Sequence, residues 1–385
     1  MDVQVTSGGL QQFISRKLRE KSNSANNSNQ ESWSWTQRLR AIYTREPPTV
    51  SFLLNEANDG SVFQCLPVNV KLQIFSYLDA RSLCLACCVC QDWSVLTSDP
   101  GLWRRLLARD VRWWPQMSHL SNPQVYLEVD SDWSQKEIYL KCSPTFQSQL
   151  KAATSTFQQV SSMLRSFIPR KVPRVAMFGP GLETATSGLV RRMLYGDSRT
   201  FRRVAMFPGQ FEGVGGGITL RLPAGHSLHL SVLYSASKQE REARAGVDRL
   251  EGNKLLQKLE GDQPVAEGAA SAESQYELKP QLRHLCQTLD AFIFVVDATQ
   301  TPESVSTSRA ELEAMVRERK STPAPVLVLS CAPQSHDVRL PACDVVRCLD
   351  MANLTQPWFV IDCVTDTLES IDVGIVWLVE QAQLR

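Results

Sequence analysis

The chain has 385 residues and is almost neutral, with 41 Lys and Arg against 40 Asp and Glu. This balance gives no overall field that would favour nucleic acid or a membrane surface as a partner. No apolar run is long enough to span a bilayer, and the polar N-terminus lacks the apolar segment of a secretory signal. We therefore expect the 11 cysteines to be unpaired in a reducing compartment. We expect a cytoplasmic location and leave a nuclear one open, since no basic import cluster is present.

The first 60 residues are polar and include the low-complexity stretches SNSANN and NSNQES, which predicts a mobile N-terminal region. One set of apolar side chains within this region has the spacing of a short amphipathic helix. Its members are Trp33, Trp35, Leu39, Ile42 and Tyr43. Packing against the following module and self-association into a homodimer are both open for this helix.

Residues 66–107 carry the densest apolar pattern in the chain, spaced as three short helices. Pro67 suits a first helical turn because its missing N–H would be unpaired there anyway. Asp79 is a candidate N-cap for the second helix. A stretch this short and this apolar cannot bury all of its side chains in its own core, so a partner is implied.

This pattern resembles the F-box, the module that docks onto the Skp-type adaptor of cullin-RING ubiquitin ligases, and it covers residues 61–110. The resemblance implies an adaptor-binding set consisting of Leu66, Pro67, Ile74, Phe75, Leu78, Leu83, Val89, Cys90, Trp93, Leu96, Leu102 and Trp103. An ordinary three-helix piece of a larger helical domain is the alternative. Cys84, Cys87, Cys88 and Cys90 lie in the same module without a second Cys/His pair at ligand spacing, so we predict small buried apolar residues and no metal.

Residues 111–171 are predicted to be a packed helical linker, after which the pattern becomes α/β. Strands are predicted at 175–179, 218–222, 228–234, 291–298, 325–331 and 358–364, and helices at 304–319, 342–351 and 368–383. A mobile insertion is predicted at about 238–280. Strands that alternate with helices indicate a doubly wound, mostly parallel sheet, so the predicted fold class is α+α/β.

The order of these elements over residues 172–385 resembles a small GTPase of the Ras class, closest to the ADP-ribosylation-factor branch. The strings FIFVVDATQTPESVSTSRAEL, PVLVLSCAPQSHDVRLP and WFVIDCVTDTLESIDVGIVWL carry the resemblance. The nucleotide motifs are damaged at the positions of the P-loop Gly-Lys (Thr184, Ala185), the magnesium loop (235–237), the guanine loop (332–335) and the last base contact (Cys363, Val364). Loss of the phosphate Lys and the magnesium Asp predicts a domain that binds no nucleotide, and no cofactor is expected.

An F-box followed by a degenerate small-GTPase domain resembles a family of substrate receptors of Skp–cullin–F-box ligases. The resemblance implies a non-catalytic subunit that presents telomeric-repeat-binding factor or a D-type cyclin for ubiquitination and proteasomal degradation, in telomere maintenance and the cell cycle. It places substrate contacts on the helix after the fifth strand, with Ala342 and Val346 on the contacting face. The absence of G-x-S-x-G and HExxH disfavours an enzyme. A non-ligase regulatory scaffold and a nucleotide switch with atypical motifs remain open.

Overall fold

The computed structural model describes residues 62–128, 133–149, 171–196, 200–208, 217–222, 225–236, 250, 253–258, 276–319 and 323–384. The chain divides into two compact units, Met1–Leu107 and Ala108–Arg385. The helix predicted around Trp33 and Tyr43 lies outside the described residues. None of the helices in the described ranges is long and apolar enough to cross a membrane.

Short helices build the described part of the first unit. They are α1 (Val62–Cys65), α2 (Val68–Phe75), α3 (Ala80–Ala86), α4 (Gln91–Thr97) and α5 (Pro100–Asp110), the last of which continues across the unit boundary. The Pro67 carbonyl accepts the first helical hydrogen bonds of α2. Asp79 caps α3 as predicted, because its carboxylate accepts the Ser82 N–H at 2.7 Å. The last of the three predicted helices is in fact two, α4 and α5.

The second unit begins with a connector that is not wholly helical. It contains a 3₁₀ turn (Val111–Trp113), the strand β1 (Gln116–Ser118), and the helices α6 (Pro123–Glu128) and α7 (Gln135–Cys142). Ser134 and Glu137 form a capping box that starts α7. The prediction of an all-helical linker is therefore wrong at β1, which adds an antiparallel strand to the main sheet.

That sheet has eight strands and forms the centre of the second unit. After β1, its strands are β2 (Arg174–Phe178), β3 (Arg202–Phe207), β4 (Gly217–Arg221), β5 (Ser227–Val232), β8 (Ala291–Asp297), β9 (Val326–Ala332) and β10 (Trp358–Val364). The strand order is β1-β10-β9-β8-β2-β5-β4-β3. The five central strands are parallel, while β1, β4 and β3 are antiparallel additions at the two edges. The predicted α/β class is confirmed.

Helices cover this sheet, which is why every residue of β8 and β9 is buried. They are α8 (Leu189–Tyr195), α9 (Pro280–Thr288), α10 (Pro302–Thr307), α11 (Arg309–Arg317), α12 (Ala342–Cys348) and α13 (Ile371–Gln383), with 3₁₀ turns at Pro180–Leu182 and Met351–Asn353. The helix predicted at 304–319 is divided into α10 and α11 at Ser308. The helix predicted at 342–351 ends at Cys348.

A two-stranded sheet lies inside the predicted mobile insertion. It consists of β6 (Leu256–Lys258) and β7 (Tyr276–Leu278), which pair in antiparallel register. The Lys254 N–H donates to the Ser235 carbonyl at 2.8 Å, which ties this sheet to the segment after β5. The prediction of mobility from about 238 to 280 is therefore wrong for these two strands, and residues 259–275 lie outside the described ranges.

Candidate functional site

The helical unit exposes an unusual amount of apolar side chain. Its large exposed apolar residues are Val68, Val70, Ile74, Tyr77, Leu85, Val89 and Val95. Of the predicted adaptor-binding residues, Pro67, Ile74, Val89 and Cys90 lie on this surface, while Leu66, Leu78, Trp93 and Leu96 are partly buried. These eight side chains are accessible to a partner without rearrangement of the helices.

The other four predicted adaptor contacts form the core of the unit. Phe75, Leu83, Leu102 and Trp103 are each at most 4% exposed. The Trp103 indole N–H donates to the Thr97 carbonyl at 2.6 Å, so even its polar edge is satisfied internally. Assignment of these four as direct contacts is therefore wrong, because a partner cannot reach them. Their role is to hold the helices that present the exposed row.

Sequence reasoning missed several of the exposed apolar residues. Val68, Tyr77, Leu85 and Val95 are between 41% and 78% exposed, and none of them was in the predicted set. The signal was present in α2, where Val70 and Ile74 already follow a helical spacing, and Tyr77 extends the same stripe by one turn. An apolar residue that does not fit the core stripe of its own helix is the pattern that identifies such a surface.

The cysteines of this unit do not form a metal site. Cys84, Cys87 and Cys88 are partly buried and Cys90 is exposed, so the prediction that all four are buried is wrong. The Cys87 thiol lies 3.3 Å from the Ser94 hydroxyl, and the Cys88 thiol donates to the Cys84 carbonyl. Among the residues with described coordinates, no group of three His, Cys, Asp or Glu is arranged to hold an ion.

The carboxyl ends of the parallel strands, where such a sheet binds ligands, are filled by the protein's own chain. Gly179 ends β2 with a φ of 120°, a conformation open mainly to glycine. The following 3₁₀ turn inserts Leu182 into the core, where it is 1% exposed. The buried Thr186 hydroxyl donates to the Gly181 carbonyl at 2.6 Å. This loop is a packed plug, whereas a phosphate cradle needs its N–H groups turned toward a ligand.

Two charged contacts close the same region. The Glu183 carboxylate accepts hydrogen bonds from the N–H and the hydroxyl of Ser235, each at 2.6 Å. Arg192 on α8 lies 2.7 Å from Asp366, which follows β10. The first contact joins the loop after β2 to the turn after β5, so a carboxylate occupies the side on which a GTPase would hold phosphate and magnesium.

A partly compensated ion pair lies between β9 and β10. Arg339, in the loop after β9, donates to the carbonyls of Ser330 and Cys363, and its guanidinium is 2.9 Å from Asp362. That contact lacks hydrogen-bond alignment, because the Asp362 Oδ1 atom has no hydrogen-bond partner among the described groups. Burial raises the pKa of Asp362 to about 6, and the nearby Arg339 charge offsets only part of this effect.

The helix predicted to contact substrate is packed inward. Ala342 is 0% exposed and Val346 is 3% exposed. Their helix, α12, packs against β1, β10, α10 and the 3₁₀ turn at Val111–Trp113. The prediction that these two side chains form a contact face is therefore wrong for the chain that includes its connector, since the connector covers this part of the sheet.

Comparisons with known proteins agree with both parts of the architecture. Residues 63–109 match the F-box-like family, and residues 273–382 match the ADP-ribosylation factor family. The chain is 31% identical to mouse F-box only protein 4 over 89% of each chain. It is 30% identical to the bovine protein of that name and 29% identical to the human one, over 85% of each chain.

The chain belongs to the F-box only protein 4 family. This confirms the resemblance inferred from the F-box pattern and the altered GTPase motifs. Membership supports a role in substrate recognition within a Skp–cullin–F-box ligase, in which the F-box implies partnership with a Skp-type adaptor and a cullin. Receptors of this family are generally non-catalytic.

Proposed function

We propose that this chain is the substrate-recognition subunit of a Skp–cullin–F-box ubiquitin ligase, in which the helical unit binds the adaptor and the second unit captures substrate. The exposed row of apolar side chains on the helical unit carries this proposal. Ile74 is 42% exposed and Val89 is 56% exposed, and burial of such side chains is the main favourable term in association. The receptor would position its substrate for ubiquitin transfer and contribute no covalent residue of its own.

The second unit, in this proposal, acts as a binding scaffold without nucleotide. The Glu183 carboxylate at Ser235 would repel phosphate, and the loop after β2 is packed against the sheet. Neither a P-loop Lys nor a magnesium Asp is present to offset this charge. Titration with fluorescent GTP and GDP tests this part, and saturable binding at micromolar concentration would contradict it.

The substrate classes are telomeric-repeat-binding factor and D-type cyclins, leading to proteasomal degradation and to effects on telomeres and the cell cycle. Family membership supports these classes, whereas Ala342 and Val346 do not, because both are buried. We place the protein in the cytoplasm, with a nuclear share left for fractionation of cells to decide.

The decisive experiment is affinity purification and mass spectrometry of the full chain with paired surface variants. Ile74→Glu combined with Val89→Glu places charge on the proposed adaptor face without touching the core. Val338→Glu is the matched control, because Val338 is an apolar residue of the second unit that is 92% exposed. Leu66→Ala with Pro67→Ala tests the start of α2 in parallel.

We expect the wild type and the Val338 variant to retain adaptor and cullin, and the other two variants to lose both. Retention of adaptor by the Ile74/Val89 variant would overturn the proposal. If the wild type binds adaptor but no protein's ubiquitination depends on it, the chain is a non-ligase scaffold instead. Proteins that remain bound when the adaptor is lost are the candidate substrates.

A further inference from the structure

The outermost strand of the main sheet, β3, has a free edge. It pairs with β4 and with no other described strand. Residues 202–206 are all exposed, with Val204 at 48% and Met206 at 70%. An edge strand of this kind offers unpaired backbone N–H and C=O groups, which can pair with an added strand.

The strand is held firmly enough to serve as a template. Phe207 packs edge-to-face on His229 of β5, with 5.5 Å between ring centroids. The His229 ring is in turn 2.9 Å from the Thr219 hydroxyl on β4. A register shift between Arg203 and Ala205 marks a bulge in the middle of the strand. The two ends are thus fixed to the sheet, while the outer side stays open.

The surroundings of this edge are entirely basic. In the described residues of α8, β3, β4 and β5 and their flanks (189–196, 200–208, 217–222 and 225–236) there is no Asp or Glu. The arginines in these ranges are Arg191, Arg192, Arg202, Arg203 and Arg221. Arg192 pairs with Asp366, whereas none of the other four has an ion pair with a described residue.

The unpaired arginines converge on β3. Arg202 lies opposite Arg221 in the register of β3 and β4. The Arg203 guanidinium stacks over the Tyr195 ring at 5.3 Å, which holds it beside the C-terminal end of α8. Arg191 is one turn before Tyr195 on the same face of α8. Like charges placed opposite each other destabilise a sheet, so an arrangement of this kind gains most from a neutralising partner.

We propose that the β3 edge binds an extended acidic segment of a partner protein as an added strand. The unpaired backbone groups favour a polypeptide, and the arginines favour carboxylate side chains on it. Pairing with a second copy of this chain is disfavoured, because it would bring Arg202 and Arg203 against the same residues. The further assignment of this partner as the ligase substrate rests on the function proposed above.

The test uses the full chain and a short fluorescent peptide that alternates Glu and Thr, with a Lys–Thr peptide as the control probe. We expect the acidic peptide to bind in a salt-sensitive manner and the basic peptide not to bind. Arg202→Glu with Arg203→Glu should weaken binding by about tenfold or more. Arg104→Glu with Arg105→Glu is the matched control, since this exposed pair lies on α5 and should leave binding unchanged.

Hydrogen exchange distinguishes strand addition from a loose charge contact. Bound acidic peptide should slow amide exchange within residues 202–207, and Arg202→Gln with Arg203→Gln should reduce this protection if the doubly reversed variant fails to fold. No acidic-peptide binding at low salt, equal binding to the control peptide, or protection only outside β3 would overturn the proposal. Concentration-dependent dimerisation that is lost with the β3 variants would assign the edge to a second copy instead, and so also overturn it.

The same assay separates this proposal from the ligase role. The Ile74/Val89 variant should keep peptide binding while it loses the adaptor. Failure of peptide binding with the adaptor retained rejects only the β3 site, and the reverse result rejects only the ligase assignment.

Discussion

Glu183 and Ser235 are joined by two hydrogen bonds of 2.6 Å, in which the carboxylate accepts both the N–H and the hydroxyl of the serine. The contact fastens the loop after β2 to the turn after β5. We expect Glu183→Ala to lower the free energy of unfolding by about 1–3 kcal/mol, because it leaves the Ser235 donors without their acceptor.

Urea denaturation of the wild type, Glu183→Ala and Glu183→Gln measures this contact. Glutamine keeps the size of the side chain and should lose less stability than alanine. Neither variant should gain nucleotide binding, because the P-loop Lys is still absent. Unchanged stability in both variants would show that the contact contributes nothing to the closure of this loop.

Two glycines give a matched test of the packed loop. A Cβ atom at Gly179 would lie 2.5 Å from the Val295 carbonyl oxygen, whereas one at Gly225 would meet nothing within 4 Å. Both have positive φ, so Gly225→Ala should cost about 1–2 kcal/mol from backbone conformation alone. Gly179→Ala should cost clearly more, because backbone of β8 must also move. Thermal unfolding checks the order, and equal losses would contradict the packing of this loop on β8.

The burial of Val346 reverses the effect expected of a contact residue. Val346→Arg should strongly destabilise the second unit, because a charge without a partner would enter the core. Arg347→Ala, at an exposed position on the same helix, should change stability by only about 0.5 kcal/mol or less. Thermal unfolding with circular dichroism compares the two. If Val346→Arg unfolds at the wild-type temperature, α12 must be able to turn this face to solvent.

Asp362 should make stability depend on pH. Its pKa is about 6 in the folded chain, against an ordinary value of 3.8, because the carboxylate is buried. A raised pKa means that the folded state binds the proton more tightly. The stabilising contribution is therefore complete below about pH 4, and is lost as the pH rises through 6.

Asp362→Asn removes this titration and is the direct test. The stability of the wild type relative to the variant should increase by roughly 1–3 kcal/mol between pH 7 and pH 4. Urea denaturation at a series of pH values measures the difference, and Glu303→Gln at an exposed site controls for the loss of one carboxylate. A difference that stays constant with pH would contradict the raised pKa.

The sequence predicted elements wherever local pattern and tertiary burial agree. The continuous apolar runs of β8, β9 and β10 identified central strands because burial on both faces leaves no polar alternation. It failed at β1 and β3, since Gln116–Ser118 is short and polar, and Arg202–Phe207 carries two arginines and a bulge. Edge strands are stabilised mainly by their neighbours, so their own composition says little.

The candidate site shows the same division. Helical spacing and the Leu-Pro start identified the F-box, but spacing alone did not separate core residues such as Leu83 from surface residues such as Val89. For α12, the pattern is compatible with either face turned inward. Contacts from the connector decide which face is buried, and these come from residues more than two hundred positions earlier in the chain.

The strand β1 has a practical consequence for anyone who dissects this protein. A fragment that starts at residue 172, where the GTPase resemblance begins, would lack Gln116–Ser118 and the backbone bonds that this strand makes with Phe359–Ile361. The β10 edge and the outer side of α12 would then be open to solvent. Ligands selected with such a fragment would report on a surface that truncation itself creates, so screens for binders should start upstream of Val111.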